Sequence, residues 1–465
     1  MKKAFFAAPE KWLEDQDLLA LLPAIKSLLS DREVYIAQLS ELKEQAGITS
    51  RMIGERKKSG ESVDGLIAEM KAYKATMKTL ASDIDTIEQQ ILSLVADAAE
   101  SVEQEKEAAH PEKIAAANYD YSLLDVQLLS SATKDACLAY LQQSCDSSVY
   151  HYPAWCELIE TTFKHSCYYL VAVIKEEVVG VLPLVILKSR LFGDFGVSMP
   201  YFNYGGPIGH ADEVIDALLV AAEAIAVDEK VAHLEYRCLQ PLPKYPGHEN
   251  KVSMWLDLPP TPDELWQSIG TKVRAQVKKA RVNNFTAHIG GEELLDDFYT
   301  VFAINMRDLG TPVYAKSFFR EVLRIETGKK HLVVLKNENS EPISVALLLG
   351  SGSRMEVPWA STLRRYNSTN ANMLLYWNML EFACQQQYTI FDFGRSSVGA
   401  STHKFKRQWG AKPVQLYWHY WLARGGELPQ LNPNNPKYKL VIWLWQKLPV
   451  WLTKFIGPHI VKYLP

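Results

Sequence analysis

The sequence predicts a mixed α/β chain in which one plan of strands and helices is used twice behind an antiparallel helical hairpin. Three observations carry that expectation. Residues 63–94 space their apolar side chains three and four apart, strands and helices alternate from residue 118 to about residue 425, and the order of those elements recurs in two successive stretches. At 465 residues the chain also exceeds what a single core usually organises. The expected division is a hairpin at 1–104, a linker at 105–117, a first half at 118–260, a second half at 261–425 and a tail at 426–465.

The hairpin comes first. Val63, Leu66, Met70, Tyr73, Met77, Leu80, Ile84, Ile87, Ile91 and Leu94 form a heptad-like seam, and Tyr35, Leu39, Leu42, Ala46, Thr49 and Ile53 form a weaker one upstream. The KKSGES segment at 57–62 separates the two stripes. Two helices folded back on each other let each stripe bury the other. The same seam also fits a bundle between chains.

The charged, alanine-rich stretch at 100–117 contains Pro111 and reads as a linker. Beyond it, apolar runs predict strands at 168–174, 178–186, 233–236, 252–256, 331–335, 343–349, 355–360 and 389–393. Helical periodicity predicts helices at 155–163, 214–227, 261–282, 292–308, 316–326 and 370–387.

Several function classes drop out. VAVIK at 171–175 and the two DFG triplets, Asp194 to Gly196 and Asp392 to Gly394, resemble kinase parts, but no HRD occurs and no glycine lies between Gly65 and Gly180 to cradle a triphosphate. The six cysteines show no CxxC pair and no metal-ligand spacing with histidine, so reduced thiols and no metal site are expected. His165 and Cys167 lack a third group for a nucleophilic pair. The N-terminal apolar run is too short for a signal peptide and no stretch reaches the ~18 apolar residues of a membrane span, so the expected location is the cytoplasm, with a peripheral place on the inner face of the membrane left open.

Three islands carry a family resemblance: YLVAVIKEEVVGVLPLVILKSRLFGDFGVSMPYFNYGGPIG at 169–209, TKVRAQVKKARVNNF at 271–285 and FDFGRSSVGASTHKFKRQWG at 391–410. They resemble FemAB-type proteins, and in particular those associated with exopolysaccharide and protein-sorting systems, whose tails are similar to NPNNPKYKL at 432–440. The resemblance implies tandem GNAT-like acyltransferase halves and transfer of an acyl or aminoacyl group to an amine on a phosphate-bearing cell-envelope or polysaccharide precursor, peptidoglycan precursors being the best-known acceptors. The co-substrate it implies is aminoacyl-tRNA or acyl-CoA. Residues 42–80 also resemble the tRNA-binding arm of seryl-tRNA synthetases, which makes tRNA a candidate partner of the hairpin beside dimerisation or a spacer role. Two other readings stand: a CoA-dependent N-acetyltransferase acting on a sugar amine, and a scaffold module without catalysis.

The resemblance also implies a site. Phe405 and Lys406 match a Phe-Lys pair bordering the transfer centre, Arg274 matches a contact to acceptor diphosphate, and Asn203 and Tyr204 stand in the family's NYGG element. Independently, Arg274, Lys278 and Arg281 share one face of a predicted helix, a solvated face or a phosphate contact. Lys406 suits stabilisation of an oxyanion or proton relay, and Asp392 either holds Arg395 or Lys406 or caps its loop. Arg395 is counted with the substrate-binding groups. Two departures matter. The turn STLRRYNSTNANML at 361–374 has no glycine for a pyrophosphate cradle, which argues against coenzyme A. After Trp155 come Cys156, Glu157 and Leu158 where some relatives place a diphosphate-binding lysine, which argues against a UDP-linked peptidoglycan acceptor. Finally, Trp443, Trp445, Trp451 and Phe455 alternate with lysines in the tail, fitting an interfacial helix on a membrane or a strap over an apolar groove.

Overall fold

The computed structural model describes residues 21–59, 62–108, 119–189, 192–423 and 436–464, with Phe5, Phe6, Pro9, Leu13 and Leu428. Most of the expected linker, from residue 109, lies outside the described residues, as do 60–61 of the hairpin turn and 432–435 of the tail. The chain divides into two compact units, 1–111 and 112–465.

The first unit is the helical hairpin, α1 (Leu22–Ser59) and α2 (Asp64–Ala108). Arg32 near the start of α1 donates to Glu88 in the second half of α2 at 2.7 Å, so the helices run antiparallel. The seam residues are the least exposed along both helices, with Leu80 and Ile91 buried. The stripe drifts at its end: Leu94 is exposed and Val95 is buried in its place, as expected when a 3.5-residue repeat is laid on a 3.6-residue helix. Ile25, Ile91 and Val95 close the open end with Phe5 and Leu13.

The second unit is built on one sheet of 13 strands: β1 (Leu124–Leu128), β2 (Ser166–Ile174), β3 (Glu177–Ser189), β4 (Gly193–Val197), β5 (Ile208–Gly209), β6 (His233–Cys238), β7 (Gly247–Asp257), β8 (Thr286–Gly290), β9 (Lys329–Lys336), β10 (Pro342–Ser351), β11 (Arg354–Thr362), β12 (Ile390–Ser397) and β13 (Lys412–Leu422). Their spatial order is β1-β2-β3-β4-β6-β13-β7-β12-β11-β10-β9-β8, with β5 paired to β3. Among the described residues pairing is antiparallel except at β4·β6 and β11·β12. Those two parallel pairs occupy equivalent places in the two halves and mark the repeat. At the centre the halves exchange strands: β7 pairs with β12, and β13 lies between β6 and β7.

Among the described residues eleven α-helices complete this unit: α3 (Lys134–Gln143), α4 (Ala154–Phe163), α5 (Asp212–Asp228), α6 (Pro262–Ser268), α7 (Thr271–Arg281), α8 (Leu295–Leu309), α9 (Lys316–Arg324), α10 (Ala371–Gln385), α11 (Ser401–Arg407), α12 (Pro436–Lys447) and α13 (Val450–Val461). One face of the sheet carries a core that crosses both halves, under α3, α4, α8 and α9. The other face carries two separate cores, one under α5 and one under α6, α7 and α10. Central strands read as unbroken apolar runs because both faces are covered, as in β3, whereas the edge strands β1 and β8 are short and half exposed.

The sequence expectations meet three local revisions. The single helix expected at 261–282 is two, because Gly270 takes an extended conformation between them and Pro262 with the Thr261 cap starts the first. The strand expected to end at Phe393 continues to Ser397 through a bulge at Gly394. The segment beginning at Ser401 is helical, and Trp409 behind it is buried in the second-half core.

Candidate functional site

Pairing between the parallel strands β11 and β12 stops at Glu356↔Asp392, although both strands run on, so a wedge opens between them. The bulge in β12 sits in that wedge. Gly394 has φ +75°, which a glycine adopts at no steric cost, and its missing Cβ leaves room for Asn203, whose Nδ2 would stand 3.4 Å from such an atom. Asn203 and Tyr204 come from the first half, on the segment between β4 and β5. The backbone N–H groups of Gly205 and Gly206 anchor that segment by donating to the Arg237 carbonyl at 3.0 and 2.7 Å.

A buried polar network fills the wedge. Asp392, 0% exposed, accepts from Ser253 Oγ at 2.6 Å, from the Gly394 N–H at 2.7 Å and from the Tyr204 hydroxyl at 2.8 Å. Glu356 accepts from Asn203 Nδ2 at 3.0 Å, and its Oε2 lies 3.1 Å from the Tyr204 oxygen. Burial, and then the neighbouring Asp392 charge, push the Glu356 carboxyl up to about 8. Near neutral pH it is therefore protonated. Tyr204 has one proton to give, so the order that satisfies every group runs from Glu356 O–H to the Tyr204 oxygen and from the Tyr204 O–H to Asp392. Arg354 lies 5.3 Å from the Tyr204 ring centroid and 4.6 Å from that of Trp255, bringing positive charge beside the two acids.

Lys406 reaches this network from α11. Its Nζ donates to the carbonyls of Gly394 at 2.8 Å and Arg395 at 2.9 Å, pinning the bulge and leaving its third N–H without a protein acceptor among the described residues. Desolvation pulls the ammonium down to about 8 despite the opposing influence of Asp392 and Glu356. Phe405 points the other way, edge-on to the ring of Tyr376 with centroids 4.9 Å apart, and packs against the core that supports α11.

Of the residues singled out from sequence, Asp392, Lys406, Asn203 and Tyr204 share one network, and Arg395 touches it through its carbonyl. Arg274 and Lys278 do not join it. Arg274 is half buried on α7, where it reaches the carbonyls of Trp266 and Gln267 at 3.4 Å, and Lys278 is exposed. Arg281, the third residue of that face, lies over the rings of Trp266 and Trp377. Sequence reasoning missed Glu356, Ser253 and Arg354. The available signal was a lone acid in the apolar run RMEVPWA, at a position whose strand neighbours are buried.

Two turns test whether coenzyme A fits. In the second half the turn before α10 is a 3-10 segment whose Arg364 donates to the Asp308 carbonyl and whose Arg365 lies over Tyr366, with no glycine to let a pyrophosphate approach the backbone. In the first half the glycine-rich turn before α5 has the N–H groups of Gly205 and Gly206 occupied by Arg237, and Asp212 and Glu213 stand in the first turn of that helix. Neither turn offers a pyrophosphate cradle. Among the described residues no His, Cys, Asp and Glu side chains gather as a metal site.

Residues 271–407 match the acetyltransferase (GNAT) domain family. No curated protein sequence matches the chain. Among solved structures it is similar to FemX, at 15% identity over 68% of this chain and 100% of that one with a TM-score of 0.49. It is similar to a tandem GNAT protein from the clavulanic acid biosynthesis pathway, at 13% identity over 65% and 100% of the two chains with a TM-score of 0.42. It is also similar to L-PGS from Bacillus licheniformis, at 10% identity over 71% and 98% with a TM-score of 0.44. Residues 271–407 thus carry a domain of the GNAT acetyltransferase type.

Proposed function

We propose that the protein is a FemAB-like transferase that moves an acyl or aminoacyl group onto an amine of a cell-envelope or exopolysaccharide precursor, with Lys406 at the transfer centre. The observation that carries this reading is the buried Glu356, Tyr204 and Asp392 network ending at a lysine whose third N–H is unclaimed, at the mouth of a parted parallel strand pair. In such a transfer the amine nitrogen bonds to the acyl carbon, the bond from that carbon to its carrier breaks, and the carrier leaves with a proton. The Lys406 ammonium stabilises the oxyanion that forms between those events. Asp392 and Tyr204 act as positioning residues: they hold the β12 bulge whose carbonyls aim the ammonium.

The donor reading follows from the two turns that lack a pyrophosphate cradle. The GNAT fold points to acyl-CoA, whereas the turns favour aminoacyl-tRNA, with the N-terminal hairpin as its arm. The hairpin turn carries Arg56, Lys57 and Lys58 in the last turn of α1, a cluster that suits a phosphate backbone.

Transfer from bulk aminoacyl-tRNA and from acetyl-CoA to extracted envelope precursors, measured for the full chain and for Lys406→Met, tests the reading. Lys406→Met is expected to lose at least ~100-fold in kcat, the size of an oxyanion donor. Wild-type kcat is expected to fall as pH rises past about 8, because the cation is the working form and it deprotonates there. Unchanged turnover in the variant defeats the assignment, and a rate that rises through the same pH makes Lys406 a base instead.

We also place a membrane contact on the tail. α12 and α13 dock as a strap: Ile442 packs against Gly310, Gly457 lies against Val313, and the Lys462 carbonyl accepts from Tyr201 at 2.6 Å. The docked strap still shows Trp443, Trp451 and Phe455 at 54, 68 and 70% exposure, and no acidic residue follows Glu427. Exposed aromatics beside lysines suit an anionic lipid surface. No helix among the described residues is long and apolar enough to cross a membrane.

A further inference from the structure

The four strands where the halves meet carry a second polar cluster on one face of the sheet. Glu235 and Arg237 of β6 lie opposite Tyr420 and Trp418 of β13, and Ser253 and Lys251 of β7 lie opposite Arg395 and Ser397 of β12. The acid in this cluster is fully engaged. Glu235 accepts from Arg237 Nε at 2.6 Å and from the Tyr420 hydroxyl at 2.9 Å, while Arg237, 1% exposed, also donates to the Phe202 carbonyl at 2.7 Å. Arg237 is thus a structural cation.

Arg395 is its opposite. Both guanidiniums lie on the indole of Trp418, 4.4 Å from its centroid for Arg237 and 4.7 Å for Arg395, yet Arg395 has no carboxylate within ion-pair distance among the described residues. Lys251 adds a third cation and donates to Ser397 Oγ at 2.5 Å, also with no acid. The Arg395 side chain is solvent-exposed, but desolvation and then the Arg237 charge hold its guanidinium down to about 10, and desolvation and Arg395 lower Lys251. Arg395 is therefore open to a ligand while its guanidinium is held against the Trp418 ring. Three cations there face one committed carboxylate, an arrangement that a bound anion would balance.

We propose that this cation cluster binds a phosphate or carboxylate oxyanion of a substrate, gripped in bidentate fashion by Arg395 and from the side by Lys251, with Trp418 holding the guanidinium fork flat. A fork suits two oxygens of one phosphate or carboxylate better than a point charge does. The place is apt for a substrate anchor, since the Arg395 carbonyl accepts from Lys406 at 2.9 Å and the anion would sit beside the proposed transfer centre. Naming the ligand a substrate rests on the transferase reading. The binding itself does not, and it is measured without turnover.

Calorimetric titration of the full chain with sodium pyrophosphate and, separately, with disodium succinate, at low and at physiological ionic strength, tests the site. Saturable, salt-sensitive binding is expected for at least one anion, weakened ~10-fold or more in Arg395→Met and by a smaller factor in Lys251→Met, the range of a charge-assisted contact. Arg395→Lys, which keeps the charge and the fold but loses the fork, is expected to fall between wild type and Arg395→Met. Lys412→Met, which removes an exposed cation already paired with Asp257 at 3.6 Å, is expected to bind as wild type, which separates the site from an effect of net charge. Tighter pyrophosphate names a phosphate-bearing ligand and tighter succinate a carboxylate. No saturable binding of either anion, or equal binding by wild type and Arg395→Met, overturns the proposal.

Discussion

Glu356 is the carboxyl of the site that its environment moves far from its free chemistry. Its carboxyl is raised to about 8 by burial and by Asp392, so the folded protein holds a proton there that the unfolded chain releases near 4.5. The stability tied to that proton is present at low pH and is lost as pH rises through the interval between those values. Glu356→Gln keeps the shape, gives the Tyr204 oxygen an N–H in place of the acid proton and still accepts from Asn203. The melting temperature of the variant minus that of wild type should therefore become more favourable as pH is raised from about 4.5 to 8. A flat difference means that Glu356 is ionised in the folded state and that the proton order from Glu356 through Tyr204 to Asp392 is wrong.

Among the elements, the β12 bulge does the most positioning. Gly394→Ala forces a side chain into left-handed backbone beside Asn203 and the Val357 carbonyl, and should cost about 1–2 kcal/mol in chemical denaturation. It should also lower transfer, because the carbonyls that aim Lys406 move with the bulge. Gly352 provides the control: it has φ +54° in open space, so Gly352→Ala carries similar strain with no effect on transfer. The strap makes a second element-scale prediction. Replacing Trp443, Trp451 and Phe455 together by Ser should abolish co-flotation with anionic vesicles and leave the melting temperature nearly unchanged, since all three side chains are exposed. Full retention on vesicles removes the membrane contact. The elements themselves were largely legible, because long apolar runs and helical periodicity survive in β2, β3, β10 and α10. The strands that escaped are β1 and β8, which lie at sheet edges and bury little, the glycine-bearing β4, the two-residue β5, and β13, whose aromatic and charged side chains break simple alternation. The site was legible only where a motif marked it. Asp392, Lys406, Asn203 and Tyr204 stand in quotable strings, whereas Glu356 and Ser253 matter because a wedge between distant strands brings them together, and local sequence carries no trace of that pairing.

At the scale of the whole unit, the decisive feature is the central exchange of strands. The repeat in the sequence suggests two halves meeting near residue 260, each with its own core. In space, β7 of the first half completes the second by pairing with β12, and β13 of the second half completes the first by pairing with β6. The core on one face of the sheet crosses that junction without a break. A fragment of residues 118–260 would thus expose both edges of β7 and leave β6 unpaired on its inner side, a long apolar edge open to association. We predict that this fragment and its complement, 261–425, are each insoluble or molten when expressed alone, while residues 112–465 unfold in one cooperative transition without the hairpin. Near-native melting of either fragment, read by near-ultraviolet dichroism, refutes this and makes the exchange a late docking of two self-sufficient halves. The cooperative outcome has a functional corollary. Asn203 and Tyr204 come from one half and Glu356, Asp392 and Lys406 from the other, so a single folding event assembles the whole network and neither half holds a partial site.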